Sequence, residues 1–240
     1  MVDLHCHILP GIDDGATTLE QSLEMARLAV ADGIHTIVAT PHLPPHDLAR
    51  AAAAVRPAVL ELQAALDAAG LPLRLLPGAE VPAMPEVLTC LEALLPPEVS
   101  GRYLLLEMPF AGHPNYLEKL AFACQVRGVR PVLAHPERSQ FVRQHLDVLR
   151  RLAERGALLQ INADSLLGRT GRAARVLAHR LLREFPGCVV ASDAHDPRRR
   201  PPLLTPARRA FRHLGGEERF RQVTSDLPEN LLAGAPLPDL

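Results

Sequence analysis

The sequence predicts an α/β fold, a TIM-like (β/α)7 barrel, on three observations. Short apolar runs rich in Val, Ile and Leu alternate with longer amphipathic stretches along the chain. Several of those stretches stop at a glycine, namely Gly33, Gly70, Gly128 and Gly156, as helix C-termini often do. The apolar runs also end repeatedly in His, Asp or Glu, which a parallel barrel would gather on one face.

The runs fall at residues 2–6, 36–39, 73–76, 103–106, 131–134, 157–161 and 188–191. Helical patterns lie between them, at about 19–33, 47–69, 115–128, 142–155 and 172–184. Alternation of this kind favours a parallel sheet with helical crossovers. Seven units point to a barrel with one unit fewer than the usual eight. An open doubly wound sheet is the alternative. Residues 205–240 read as one or two closing helices and a Pro-rich tail. With no linker and no repeat, residues 1–240 are read as one domain.

Composition excludes several classes of function. Net charge is −1 and the pI near 6.8, unlike the basic balance of a nucleic-acid binder. Trp is absent and aromatic content is 3%, which argues against a stacking platform for single strands. Cys6, Cys90, Cys124 and Cys188 are scattered without a C-x-x-C pair, so no disulfide framework is expected. The start of the chain lacks a basic segment followed by an apolar run, and no stretch approaches the ~20 apolar residues of a membrane span. The expected location is cytoplasmic, without membrane insertion.

Function is concentrated at the strand ends. His5 and His7 close the first run, His42 follows the second and Glu80 the third. Glu107 ends the fourth, His135 follows the fifth, and Asp193 and His195 follow the seventh. Asp14 sits in the loop after the first run, beside Asp13. His5 and His7 are two apart on a strand, so their side chains leave the same face and reach one cation. Asp193 and His195 repeat that spacing. Imidazole with carboxylate suits Zn, Mn or Fe. Nine donors (His5, His7, Asp14, His42, Glu80, Glu107, His135, Asp193, His195) exceed the needs of one four-coordinate zinc, so two or three ions are expected.

Each signal alone is weak. An H-x-H pair occurs by chance, a Glu at a strand end is often solvated, and His42 beside prolines suits a turn. Coincidence at six of seven strand ends is much less plausible. A charge-rich cluster buried without metals would also be costly. His145, His179 and His213 fall on helical patterns and read as surface or packing residues. His35 lies outside the scheme, and His46 and His113 are near it without being assigned.

The stretch Asp3-Leu4-His5-Cys6-His7-Ile8-Leu9-Pro10-Gly11-Ile12-Asp13-Asp14-Gly15 resembles the opening of the PHP (polymerase and histidinol phosphatase) family. More narrowly, it is similar to the manganese-dependent bacterial protein-tyrosine phosphatases of capsule and exopolysaccharide biosynthesis. Thr40-Pro41-His42, Gly78-Ala79-Glu80, Leu106-Glu107, Ala134-His135-Pro136-Glu137-Arg138, Ser192-Asp193-Ala194-His195 and Arg200-Pro201-Pro202 extend the match from Met1 to about Pro202. The resemblance implies a distorted (β/α)7 barrel with a trinuclear centre, the nine donors above as ligands, and Arg138 and Arg200 as phosphate binders. Mn is the metal implied, with Fe or Zn as alternatives. The implied substrate is a phosphotyrosine protein, the tail of a bacterial tyrosine kinase.

The chemistry expected follows from the substrate. Metals neutralise the anionic oxygens of a phosphate monoester and lower the pKa of bound water toward ~7, so that hydroxide attacks phosphorus in line. Arginines donate paired hydrogen bonds to the remaining oxygens. The sequence leaves open which group protonates the departing phenol, with His42 as a candidate. Cysteine chemistry is the rival, since Cys124-Gln125-Val126-Arg127-Gly128-Val129-Arg130 matches a Cys-x5-Arg loop and Asp196-Pro197 mimics its acid motif. That loop must lead from a strand into a helix, whereas Cys124 falls late in a helix that leads into a strand. Histidinol-phosphate phosphatase on the same scaffold and a non-catalytic, metal-holding barrel that binds a partner are the alternative functions. An amidohydrolase would often place a modified lysine on a barrel strand, but the single lysine, Lys119, falls on a helix.

Overall fold

A computed structural model describes residues 1–109 and 115–235. Among these residues lie eight strands: β1 (Val2–Cys6), β2 (Thr36–Ala39), β3 (Arg74–Pro77), β4 (Glu80–Pro82), β5 (Tyr103–Glu107), β6 (Arg130–Ala134), β7 (Leu158–Asn162) and β8 (Cys188–Ala191). All pair in parallel, in a three-stranded sheet β1-β2-β3 and a five-stranded sheet running in order from β4 to β8. Single bridges join the sheets, between Cys6 and Ala194 on one side and between His42, just after β2, and Glu80 on the other. The result is a distorted parallel barrel.

The third unit departs from the expected pattern. Glu80 does not cap the strand formed by residues 74–77. It opens a separate strand, which pairs with β5. The break falls at Gly78, where an added Cβ would lie 2.6 Å from Val38 Cγ1 and 3.2 Å from Thr40 Cγ2. The chain crosses β2 too closely there to carry a side chain. The split strand still occupies one barrel position, so seven units are made from eight strands.

The crossover helices are α1 (Leu19–Ala31), α2 (Leu48–Ala68), α3 (Leu117–Val126), α4 (Gln140–Gln144), α5 (Leu146–Glu154), α6 (Ala163–Leu167) and α7 (Arg172–Glu184). Thr18 caps α1 by accepting from Gln21 N at 3.3 Å. The turns after α1 and α5 pass through Gly33 and Gly156 at φ +87° and +89°, a region that glycine enters freely. The expected helix at 142–155 is two helices. Ser139 caps the first, and His145 breaks the run at φ −132°, ψ 55°, its ring stacked on Phe141 at 4.7 Å. Helices α8 (Arg208–Phe211), α9 (Gly216–Arg221) and α10 (Leu227–Ala233) close the chain, the last two joined by a π-helical turn at Gln222–Asp226. No helix among the described residues is long and apolar enough to cross a membrane.

Two apolar layers hold this arrangement. The larger lies between strands and helices and includes Ile37, Leu106, Leu133, Ile161, Val190, Met25, Leu62 and Leu181. The smaller fills the lower barrel with Val2, Leu4, Val38, Leu76, Leu105, Val132, Leu158 and Val189, and Leu227 and Leu231 of α10 plug it. One position further up, the same inward-facing rows turn polar: Leu105 gives way to Glu107, Leu158 to Gln160 and Asn162. The lower layer excludes water, and the polar layer above it is the site.

Candidate metal centre

Strand β1 supplies its histidines through an irregularity. Asp3 pairs with Ile37 and Cys6 with Ala39, so three steps along β1 match two along β2. This bulge changes the facing of the strand. Val2 and Leu4 belong to the lower barrel layer, yet Cys6 joins the outer layer beneath the helices. His5 and His7 therefore point inward, above Leu4. Two more residues are aimed by unusual backbone. His135, directly after β6, and Asp193, two residues after β8, have φ of +32° and +53°, the sparsely populated left-handed region.

These elements bring eight of the nine expected donors into three overlapping groups, each with all its ligand atoms within 4.8 Å of one another. The buried group is His5, His7, Glu80 and Asp193. Its facing atoms are close: His5 Nε2 to His7 Nε2 is 3.1 Å, and Glu80 Oε2 lies 3.0 and 3.4 Å from the two imidazoles. Asp193 Oδ1 lies 3.5 and 3.6 Å from the same pair. The second group is His7, Asp14, His42 and His195, and the third is His42, Glu80 and Glu107. His135 joins through Nε2, 2.8 Å from Glu80 Oε1. Facing imidazole nitrogens and shared carboxylate oxygens are what several divalent cations at short spacing require, and this donor set fits them.

Adjacent aspartates divide two tasks. Asp13 Oδ2 lies 2.6 Å from His7 Nδ1 and accepts from His42 N at 2.8 Å, so it orients the ligand bearers. Asp14, mostly exposed, faces His42 and His195 instead, at 3.9 and 3.5 Å.

The electrostatics of the metal-free cluster follow from packing. Burial alone would lower His5, but the Glu80 and Asp193 carboxylates outweigh it and raise its pKa to about 10. His7 is raised in the same way, against burial, through Asp13 and Glu80. Glu80 is held well below the usual range: burial opposes this, and His5 with His135 prevails. Burial lowers His195 to about 4, assisted by His7 and Arg200. Burial raises Glu107, and the Glu80 charge adds to it.

Arg138 and Arg200 both reach this centre. Arg138 Nη1 and Arg200 Nη2 lie 3.0 and 2.7 Å from the same oxygen, Asp193 Oδ2. Arg138 sits in the turn Pro136–Arg138 after β6. Arg200 is held by its loop, where His195 N donates to Arg200 O at 3.0 Å and Asp196 Oδ1 accepts from Arg198 N and Arg199 N.

Several residues of this neighbourhood escaped the strand-end reading. Asp3, fully buried, accepts from Ser192 N and Ser192 Oγ and so ties β1 to the segment after β8; burial raises it to about 6. Gln160 and Asn162 are buried on β7, the strand that supplies no donor of its own. Glu137 accepts from Asn162 N at 3.0 Å. The signal was present as polar residues two apart in an apolar strand, Gln160-Ile161-Asn162. His46 is exposed and outside the donor groups, His35 pairs with Glu229 at 3.4 Å, His179 bonds Leu166 O at 3.1 Å, and His213 is exposed. His113 lies outside the described residues. Cys124 is buried near the end of α3, as expected, and burial raises its thiol. Lys119 also lies on α3.

Known proteins share this fold. The family model for capsular polysaccharide synthesis, CpsB/CapC, matches residues 1–233. The chain belongs to the CpsB/CapC family. It is 42% identical over 197 residues to the tyrosine-protein phosphatase YwqE of Bacillus subtilis, covering 82% of this chain and 78% of that one. It is 35% identical to a putative tyrosine-protein phosphatase, CapC, of Staphylococcus aureus, covering 85% and 80%. A crystal structure from work on YwqE of Bacillus subtilis and CpsB of Streptococcus pneumoniae, described as unique metal-dependent tyrosine phosphatases, superposes with a TM-score of 0.88 at 36% identity. That match covers 99% of this chain and 96% of the other. The CpsB/CapC fold therefore extends through the closing helices, beyond Pro202 where the motif match fades.

Proposed function

We propose that this CpsB/CapC chain is a metal-dependent protein-tyrosine phosphatase that acts, as one domain in the cytoplasm, on the phosphotyrosine tail of a tyrosine autokinase of capsule or exopolysaccharide synthesis. One observation carries the reading. Eight donors converge in three overlapping groups, and two arginines meet on the outer oxygen of Asp193 beside them. The names and the structure of the family relatives support it.

Residues His5, His7, Asp14, His42, Glu80, Glu107, His135, Asp193 and His195 would hold two or three divalent ions, Mn foremost. Bound divalent metals neutralise phosphate oxygens and acidify a water molecule that can attack phosphorus. The protein's own groups do the rest. Arg138 and Arg200 present guanidinium donors to the non-bridging oxygens and hold the phosphate for in-line displacement. Asp13 keeps the His7 ring in place. His42 has one ring nitrogen 3.3 Å from Glu80 Oε2 and the other 3.9 Å from Asp14 Oδ1, so both face carboxylates of the cluster. It is assigned as a ligand rather than as the proton donor. A phenol, with pKa ≈ 10, leaves with less acid help than an alkoxide needs.

The test is metal content by mass spectrometry beside hydrolysis of a phosphotyrosine peptide, histidinol phosphate and a nucleotide. Two or three ions per chain are expected, with activity abolished by chelation and restored by Mn. Full activity from a metal-free preparation defeats the reading.

A further inference from the structure

Strand β7 contributes no metal donor, yet its two inward polar residues form a continuous buried link across the centre. Gln160 Oε1 accepts from His135 N at 3.3 Å and faces His5 Nδ1 at 2.8 Å. Gln160 Nε2 donates to Asn162 Oδ1 at 2.8 Å, and Asn162 Nδ2 donates to Asp193 Oδ2 at 2.6 Å. Both amide orientations are fixed chemically. A backbone N–H can only donate, so the oxygen of Gln160 must face His135 N. A carboxylate can only accept, so the nitrogen of Asn162 must face Asp193. It follows that Nδ1 of His5 carries a proton, so the neutral, metal-holding imidazole turns the lone pair of Nε2 toward His7, Glu80 and Asp193.

We infer that Gln160 and Asn162 are positioning residues of the metal centre: Gln160 sets the tautomer and ring orientation of His5, and Asn162 holds Asp193 with one oxygen toward the histidines and the other toward the arginines. Asp193 is the hinge of the arrangement. Its Oδ1 lies 3.5, 3.6 and 3.6 Å from His5 Nε2, His7 Nε2 and His195 Nδ1. Its Oδ2 receives Asn162 Nδ2, Arg138 Nη1 and Arg200 Nη2. When the arginines turn to a phosphate, the Asn162 amide keeps Oδ2 paired, so the carboxylate does not rotate away from the histidines. Groups that orient ligands in this way typically alter metal affinity or activity by about 10–100-fold when removed.

The inference rests on the metal-phosphatase reading, and the experiment separates the two. Mn-loaded wild type, Gln160→Met, Gln160→Glu and Asn162→Leu are dialysed against graded chelator. Retained metal is measured by mass spectrometry, folding by circular dichroism melts, and kcat and KM on a phosphotyrosine peptide. Gln160→Met keeps the volume and removes the acceptor, so metal is lost at about 10–100-fold lower chelator. Gln160→Glu keeps the acceptor on His5 and His135 but sets an oxygen in place of the donor to Asn162 Oδ1, so it recovers part of the retention lost in Gln160→Met. Asn162→Leu shifts retention in the same direction as Gln160→Met and lowers kcat more than it raises KM. The inference is overturned if a folded Gln160→Met or Asn162→Leu retains metal like the wild type, or if Gln160→Glu loses it as readily as Gln160→Met. Should Gln160→Met not fold, the Asn162→Leu and Gln160→Glu results decide. A wild type that binds metal but leaves phosphotyrosine untouched defeats the proposed function alone, and metal retention still decides the roles of Gln160 and Asn162.

Discussion

Oδ2 of Asp13 lies 2.6 Å from Nδ1 of His7, and this contact leaves the opposite ring nitrogen of His7 facing His5 and Glu80. Burial opposes ionisation of Asp13, but the bond from His7 outweighs it and lowers the carboxyl pKa. The neighbouring Asp14 reaches the cluster from its exposed side. Replacing Asp13 with Ala should lower metal affinity by about 10–100-fold, the scale for an orienting partner. Asp13→Asn, which keeps an acceptor for Nδ1–H, should recover part of the loss. Titration with a competing chelator measures both. Equal affinity in all three proteins would remove Asp13 from the site.

Arg138 and Arg200 share one carboxylate oxygen and, in the proposed reaction, one phosphate. Replacing either with Ala should lower kcat/KM for phosphotyrosine by roughly 10–10³-fold, the scale of one charged transition-state donor. Metal content should not change. Because the two guanidinium groups act on the same atoms, the double variant should lose less than the product of the single losses. Strict additivity would place them on separate tasks.

Much of this site was legible because a parallel barrel puts strand ends on one face, and His5, His42, Glu107, His135 and Asp193 each mark such an end. Three features were not legible, for physical reasons. Residues 2–7 alternate apolar and polar without a fault, which hides the bulge that turns both Leu4 and His5 inward. The run at 73–76 leads to Glu80 through a short segment, and only the close approach of Gly78 to Val38 reveals that a new strand begins. Gln160 and Asn162 are neutral amides, so the pattern of titratable strand ends does not mark the strand that orients His5 and Asp193.

Metal binding should release protons and weaken as pH falls. Burial would lower His5, but Glu80 and Asp193 raise it to about 10, so the metal-free protein carries a proton there at neutral pH. His7 is raised as well. A ligand imidazole must be neutral, so metal displaces those protons. Each proton released makes the affinity rise about tenfold per pH unit below the raised pKa. Calorimetry in buffers of different ionisation enthalpy should find net proton release at pH 7. Binding without any exchange of protons would contradict the charge state of the cluster.

No cysteine should act as a nucleophile. Cys124 lies inside α3, and burial raises its thiol away from the reactive thiolate. Burial likewise pushes Cys188 up to about 12. Cys124→Ser should therefore keep turnover within a few-fold. A loss of about 10³ or more, the scale for a nucleophile, would revive cysteine chemistry.

Phosphotyrosine peptides should be better substrates than histidinol phosphate. Both present a phosphate, so discrimination must come from what surrounds the leaving group. The cluster is graded: His5, His7 and Glu80 are sealed, whereas the side chains of His42 and Arg200 are each 36% exposed and that of Asp14 is 66% exposed. Phosphate delivered from that side arrives on a group still projecting from a folded partner. Two of the described loops on this face are brief. Residues 135–139 suffice before α4, and α6 starts at Ala163 directly after β7. An enzyme for a small phosphate ester gains by closing loops over its substrate to exclude water and read its shape. At those two positions little chain is left for such a cover. Comparison of kcat/KM for a phosphotyrosine peptide and histidinol phosphate, on one Mn-loaded preparation, decides the matter. A preference of roughly tenfold or more for histidinol phosphate would overturn the tyrosine assignment. The metal-dependent phosphatase would stand, because its donors and arginines serve either ester.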